Sequence, residues 1–335
     1  FTSAQDSKAA GDWGQIVFYD SSVDAVFDGD GKYVSGSILE YCTVEYGGGI
    51  LLNLGNPFIN QSTIRYHSGS GIKMDSHESA NSTATIKITN NTISNNTSSS
   101  DGGGIYLYGY GGVAISGNSI SDNVGSSGGG IWSSAYSVTI SGNTIEDNKA
   151  ISSSGPDGPT LQDGGGIKLQ TPSHQILNNV IKGNQGSSGG GIYGNSSTYT
   201  GNTIIGNTGG GYKDDGSSGT FSSNYVLNNT GNGIEVSGAV NIVGNIIAGN
   251  TGVALKYRSR HDSSNITGNT ILNNTGSPVV SLHSERAITD TSSGNLVVKN
   301  NTIVGNSGSP TVSVSKGSSS TAPVFSNNNL YNNSG

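Results

Sequence analysis

The chain has 335 residues, room for one large domain or two ordinary ones, yet only 11% are charged and the formal net charge is −7. Average soluble domains carry roughly 25% charged residues, so this composition excludes long solvent-facing helices, and 54 glycines beside a single methionine exclude a predominantly helical fold. No run of five or more lysines and arginines occurs, so there is no basic surface for nucleic acid.

Cys42 is the only cysteine, which leaves no intrachain disulfide and no thiolate metal site. No apolar stretch reaches about 18 residues, so no membrane-inserting segment is expected. With so little charge and so much glycine and serine, order has to come from a repeat.

In chain order, Phe1-Thr2-Ser3 reads as the end of a strand. Asp28-Gly29-Asp30-Gly31 follows, between Val26-Phe27 and Tyr33-Val34. Its two Asp-Gly pairs favour a hairpin turn, with a weaker Ca2+ reading on Asp28 and Asp30. Glycine-rich segments ending in an apolar anchor then recur. The anchors are Ile16, Ile50, Ile72, Ile105, Ile131, Ile167, Ile192, Tyr212, Ile234, Ala254, Val280 and Val312, about twelve turns. Between anchors lies N-x-I-x-x-N, as in Asn118/Ile120/Asn123 and Asn202/Ile204/Asn207, reaching Asn328/Leu330/Asn333. Two to four positions of apolar alternation on each side of a bend give three short strands per turn. One turn cannot bury its isoleucines alone, whereas stacking turns about 4.8 Å apart makes a continuous core and stacks the asparagines in ladders. The predicted fold is all-β, a parallel β-helix running as one domain over 1–335. Cys42/Gly47 and Ser62/His67 stand in the ladder slots of the first coils, making Cys42 a small buried stack member.

With these repeats, and with the opening Gly11-Asp12-Trp13-Gly14-Gln15-Ile16-Val17-Phe18 and Ser37 to Gly48, the chain resembles the right-handed parallel β-helix proteins built from PbH1-type repeats, the carbohydrate-binding and sugar-hydrolase fold. The resemblance covers nearly the whole chain and implies right-handedness. It specifies fold far better than function, since the family holds lyases, hydrolases, epimerases, adhesins, tailspikes and filament proteins. It also implies a secreted or surface location.

The residue after each anchor is expected to point outward, giving the row Lys73, Tyr106, Trp132, Lys168, Tyr193, Lys213 and Glu235. Two positions on, a second row offers Asp75, Tyr108, Ser134, Gln170, Asn195, Asp215, Ser237, Tyr257 and His283. Aromatic faces stack on sugars and lysines pair with anionic groups, so Lys73, Tyr106, Tyr108, Trp132, Lys168, Tyr193, Lys213, Asp215 and Glu235 form a candidate face for an extended anionic polysaccharide. The competing reading is strand propensity alone.

Chemistry on uronic acids would need a base, an acid and a cation, for which Tyr193, Lys213 and Glu235 stand on successive coils, with Arg258, Arg260, His261 and Asp262 as a second group. Neither group matches a lyase or epimerase motif. Asp214 and Asp215 are adjacent on a strand and face opposite sides, so they cannot act as a hydrolase pair. Insertions at Asp75–Thr83 (with His77 and Glu78), Lys149–Asp163 and Ser281–Asn295 are of a length to wall a groove. Among the N-x-S/T sequons at Asn81, Asn90, Asn195, Asn228, Asn265, Asn273 and Asn300, those at Asn90, Asn228, Asn273 and Asn300 precede a ladder asparagine and should face solvent. Neither end carries a recognisable cap, so either the sequence is an excerpt of a longer β-helix or copies of the chain stack end to end as a filament. The favoured reading is a noncatalytic extracellular β-solenoid, a structural or adhesive surface or filament-forming protein; a glycan-binding module using the outward face is a second reading that can coexist with it, and the alternative is a polysaccharide lyase or C5-epimerase.

Overall fold

The computed structural model describes residues 1–75, 85–152, 159–216, 218–259, 264–284, 296–317 and 323–334, and they contain strands, turns and bends with no helix among them. They fall into two compact units, Phe1–Gln175 and Ile176–Gly335. Each unit is a stack of parallel coils.

The coil made by the strands Ile72–Asp75, Thr85–Thr89 and Thr92–Ser94 shows why this sequence winds. Alternation along each strand turns Ile72, Met74, Ile86, Ile88 and Ile93 inward, all at most 4% exposed. The two bends fall at Asn90 and Asn95, both at φ +56°. A left-handed residue costs an ordinary side chain roughly 1–2 kcal/mol and Asn and Gly least, so most bends read Asn-Asn, Gly-Asn, Asp-Asn or Ser-Asn.

The second asparagine of each pair is buried and polar. In the first unit Asn96 Nδ2 donates to Asn123 Oδ1 at 2.9 Å, and Asn123 Nδ2 to Asn148 Oδ1 at 3.0 Å. Each Oδ1 also accepts the backbone N–H of the previous ladder member, and each Nδ2 reaches a strand carbonyl of the coil before, as from Asn123 to Ile93 at 2.9 Å. In the second unit two such ladders run, one from Asn202 through Asn224, Asn245, Asn269 and Asn301 to Asn328, the other from Asn207 through Asn229 to Asn250. A carboxamide carries the donors and acceptor that this slot needs.

The Gly-Gly-Gly-Ile segments have a steric cause. Gly102 sits at φ +66°, where a Cβ would lie 2.6 Å from Ile105 O, and a Cβ on Gly104 would lie 2.9 Å from Ile120 Cγ2 and 3.1 Å from Asn123 Nδ2. The last glycine thus makes room for the ladder itself.

The anchors align as the repeat predicts, Ile16, Ile50, Ile72, Ile105, Ile131 and Ile167 in the first unit. In the second they are Ile192, Tyr212, Ile234, Leu255, Val280 and Val312. Leu255, not Ala254, is the anchor. Ala254 takes the slot of the last glycine, where a small residue suffices, and that one-residue shift carries Tyr257 out of the outward row into the core at 1% exposure, with Arg258 in its place.

Val26–Phe27 and Tyr33–Ser35 form the expected antiparallel hairpin. Asp28 Oδ1 accepts the N–H groups of Asp30 (3.1 Å) and Lys32 (2.8 Å). The insertion from Lys149 contributes a second hairpin, Lys149–Ser152 with Thr160–Leu161. Cys42 is half-buried, its N–H donating to Ser62 Oγ.

Candidate functional site

Register places Lys73, Tyr106, Trp132 and Lys168 one above another on the first unit. Parallel strands bring such side chains within about 5 Å, and they use that proximity on each other. The Tyr106 and Trp132 rings stack at 4.7 Å and 4°, and Lys73 Nζ lies 5.5 Å from the Tyr106 centroid on a cation–π contact. Trp132 is only 7% exposed, so it supports Tyr106 and offers no ring face to a ligand; its Nε1 is buried without a hydrogen-bond partner.

The cations are held in the same way. Lys73 pairs with Asp75 at 3.1 Å and Lys168 with Asp163 at 3.4 Å. On the second unit Lys213 pairs with Asp215 at 3.5 Å and lies 5.0 Å from the Tyr193 ring centroid, while the Tyr193 hydroxyl donates to Asp215. Glu235 pairs with Lys256 at 2.8 Å and accepts from Asn232 Nδ2 at 2.6 Å. Four of the row's members, Lys73, Lys168, Lys213 and Glu235, thus have a charge partner, and Lys256 is a fifth ion that the misplaced Ala254 anchor hid.

Beside the first-unit row lies a cleft of about 310 Å³. Two serine-rich turns of neighbouring coils, carrying Ser68 and Ser70 and then Ser98, Ser99 and Ser100, form its walls with Gln15, Lys73, Asp101 and Tyr106. A second hollow of about 240 Å³ shares Gln15 and Lys73 and reaches Asn53 and Asp75. Burial pushes the Asp101 carboxyl above its ordinary value, against the lowering effect of a Ser127 hydrogen bond and the Lys168 charge. Burial, with Asp75 and Asp101 nearby, likewise raises the Tyr106 phenol.

Repeat reading missed Asp101 and the serines because a Ser-Ser-Ser-Asp-Gly run carries only a loop signal. It also missed Tyr110 and Tyr136, exposed rings stacked at 4.8 Å and 6°. They sit on Ile105–Ser116 and Ile131–Ser141, strands that run on past the point where other coils turn. Tyr108, 39% exposed, faces Asp75 on one side and Ser134 on the other.

In the second unit the inward slot of Asp214 is fully buried while Asp215 is exposed, the opposition expected of strand neighbours. Asp214 accepts from the Tyr212 hydroxyl at 2.7 Å and from Gly216 N–H at 2.7 Å, among the rings of Tyr199, Tyr212 and Phe221. Burial raises its pKa. This is a core polar cluster. Asn90, Asn228, Asn273 and Asn300 are exposed at φ +52° to +56°. Asn81, His77, Glu78, Arg260, His261, Asp262 and residues 285–295 lie outside the described residues.

A family model described as a right-handed β-helix region matches residues 25–199, 160–287 and 190–335. The chain therefore belongs to the right-handed β-helix family. No curated protein and no solved structure matches it.

Proposed function

We propose that this β-helix is a noncatalytic extracellular scaffold that holds a glycan in the serine-lined cleft beside Tyr106. The cleft carries the reading. It gathers five serine hydroxyls, Gln15 and the edge of a fixed aromatic pair around a hollow at the small end of the ligand-pocket range of about 300–1,000 Å³. Hydroxyls and carboxamides exchange hydrogen bonds with sugar hydroxyls in both directions. Tyr193, Lys213 and Glu235 match no lyase or epimerase motif and none of the three lines the cleft, which favours binding there over that chemistry. Affinity electrophoresis in gels containing polysaccharides tests the reading. Retardation lost on Ser99→Arg supports it, as does polymer recovered uncut; unchanged mobility in every gel contradicts it.

A self-assembling role is compatible. Val324, Phe325 and Leu330 are 40–45% exposed, and a further coil, from this chain or another copy, would cover them. Negative-stain microscopy over a concentration series separates filaments from single rods. Glycans attached at Asn90, Asn228, Asn273 and Asn300 would project into solvent, and an intact-mass measurement on protein from a glycosylating host detects them.

A further inference from the structure

We infer that the cleft beside Tyr106 selects an uncharged glycan and rejects anionic ones. The inference rests on the glycan-binding reading and names the substrate class of that site.

Charge decides it. Among the described residues Lys73 is the one cation lining the two hollows, and Asp75 already holds its Nζ at 3.1 Å; Lys168, whose charge reaches Asp101, is likewise held by Asp163 at 3.4 Å. Asp101 and Asp75 contribute two carboxylates to the same walls, one in each hollow. A uronate or sulfate entering beside Tyr106 would meet Asp101, with Asp75 in the adjoining hollow and a cation that already has its partner, on a chain of net charge −7. An uncharged sugar meets none of this. Its hydroxyls can donate to Asp75 and Asp101 and exchange with Ser70, Ser98 and Ser100. Selection then works by repulsion of the wrong partner as much as by attraction of the right one.

A glycan array containing neutral and acidic members, probed with the intact chain at low salt, tests both layers separately. Signals confined to neutral glycans support the inference. Signals on uronic-acid or sulfated glycans at least as strong as on neutral ones overturn it while leaving glycan binding intact. A blank array overturns the glycan reading itself, and the inference with it. Asp75→Asn supplies the second arm, since it releases Lys73 on an exposed strand position. Relative binding of acidic over neutral glycans should rise about tenfold and that gain should vanish in high salt; an unchanged ratio would count against the role given to Asp75.

Discussion

His67 does in its coil what Asn96 does in the next. Its Nδ1 accepts the Gly47 N–H at 3.1 Å and its Nε2 donates to the Val44 carbonyl at 3.1 Å, while Asn96 Oδ1 accepts the His67 N–H at 3.1 Å and Asn96 Nδ2 donates to Ile64 O at 3.2 Å. The carbonyl can only accept, so the ring is neutral with its proton on Nε2. Protonation would set an N–H against the Gly47 N–H. Burial accordingly lowers the His67 pKa, and it lowers that of His174 to about 4.

Both histidines therefore make stability pH-dependent in one direction. Their folded pKa values lie below the unfolded value of 6.5, so the unfolded chain takes up protons first as the pH falls. Stability is full above about 6.5 and is lost on descending toward 4, by roughly 3 kcal/mol from His174 alone. Urea midpoints between pH 7.5 and 4.5 check this. His67→Asn should flatten part of the loss while leaving stability near pH 7.5 within about 1 kcal/mol.

The asparagine ladder should be intolerant of small replacements. Asn207 accepts from Asn184 N and Nδ2 at 2.9 and 3.0 Å, and donates to Ile181 O at 3.0 Å. Asn207→Ala leaves buried groups without that partner and should cost about 3 kcal/mol. Chemical denaturation measures it; a loss under 1 kcal/mol would mean that the ladder is not a main source of stability.

Asp214 should behave in the opposite sense to the histidines. Burial raises its pKa, so the unfolded chain releases its proton first and stability falls as the pH climbs through the folded value. Asp214→Asn keeps hydrogen bonding to Tyr212 and Gly216 without the buried charge. The variant should match the native chain near pH 4 and exceed it at pH 7 by about 1 kcal/mol. A less stable variant at pH 7 would contradict the account.

Tyr41 occupies a bend position at φ +53° with its side chain 74% exposed. Tyr41→Gly should raise stability by about 0.5–1 kcal/mol in thermal unfolding. Tyr66, at φ +56°, stacks on Tyr46 at 5.2 Å, so Tyr66→Gly should gain less or lose.

Much of this architecture is legible in the sequence because each coil repeats one steric problem. The αL-then-Asn pair and the final glycine before the anchor are local requirements, so they recur at Asn90-Asn91, Gly117-Asn118 and Gly104. The anchor at Leu255 escaped because alanine satisfies the glycine slot and looks apolar. At the candidate site, the rows were legible from strand alternation, whereas their mutual use was not. Lys73 and Asp75, or Lys213 and Asp215, share a strand face two positions apart and close on each other, so charges that the repeat shows singly are paired in the structure. Trp132 follows the outward pattern and is covered all the same, because coil stacking lays Tyr106 against it. Asp101 belongs to a turn, where position depends on tertiary contacts and no periodicity reports it.

The most direct measurement is hydrogen–deuterium exchange of the intact chain with and without an excess of a neutral glycan that binds it. The account predicts slowed exchange in the peptides spanning 68–73 and 98–106 and little change across the Tyr193–Glu235 face. Protection confined to that second face, or none at all at saturating glycan, would contradict it.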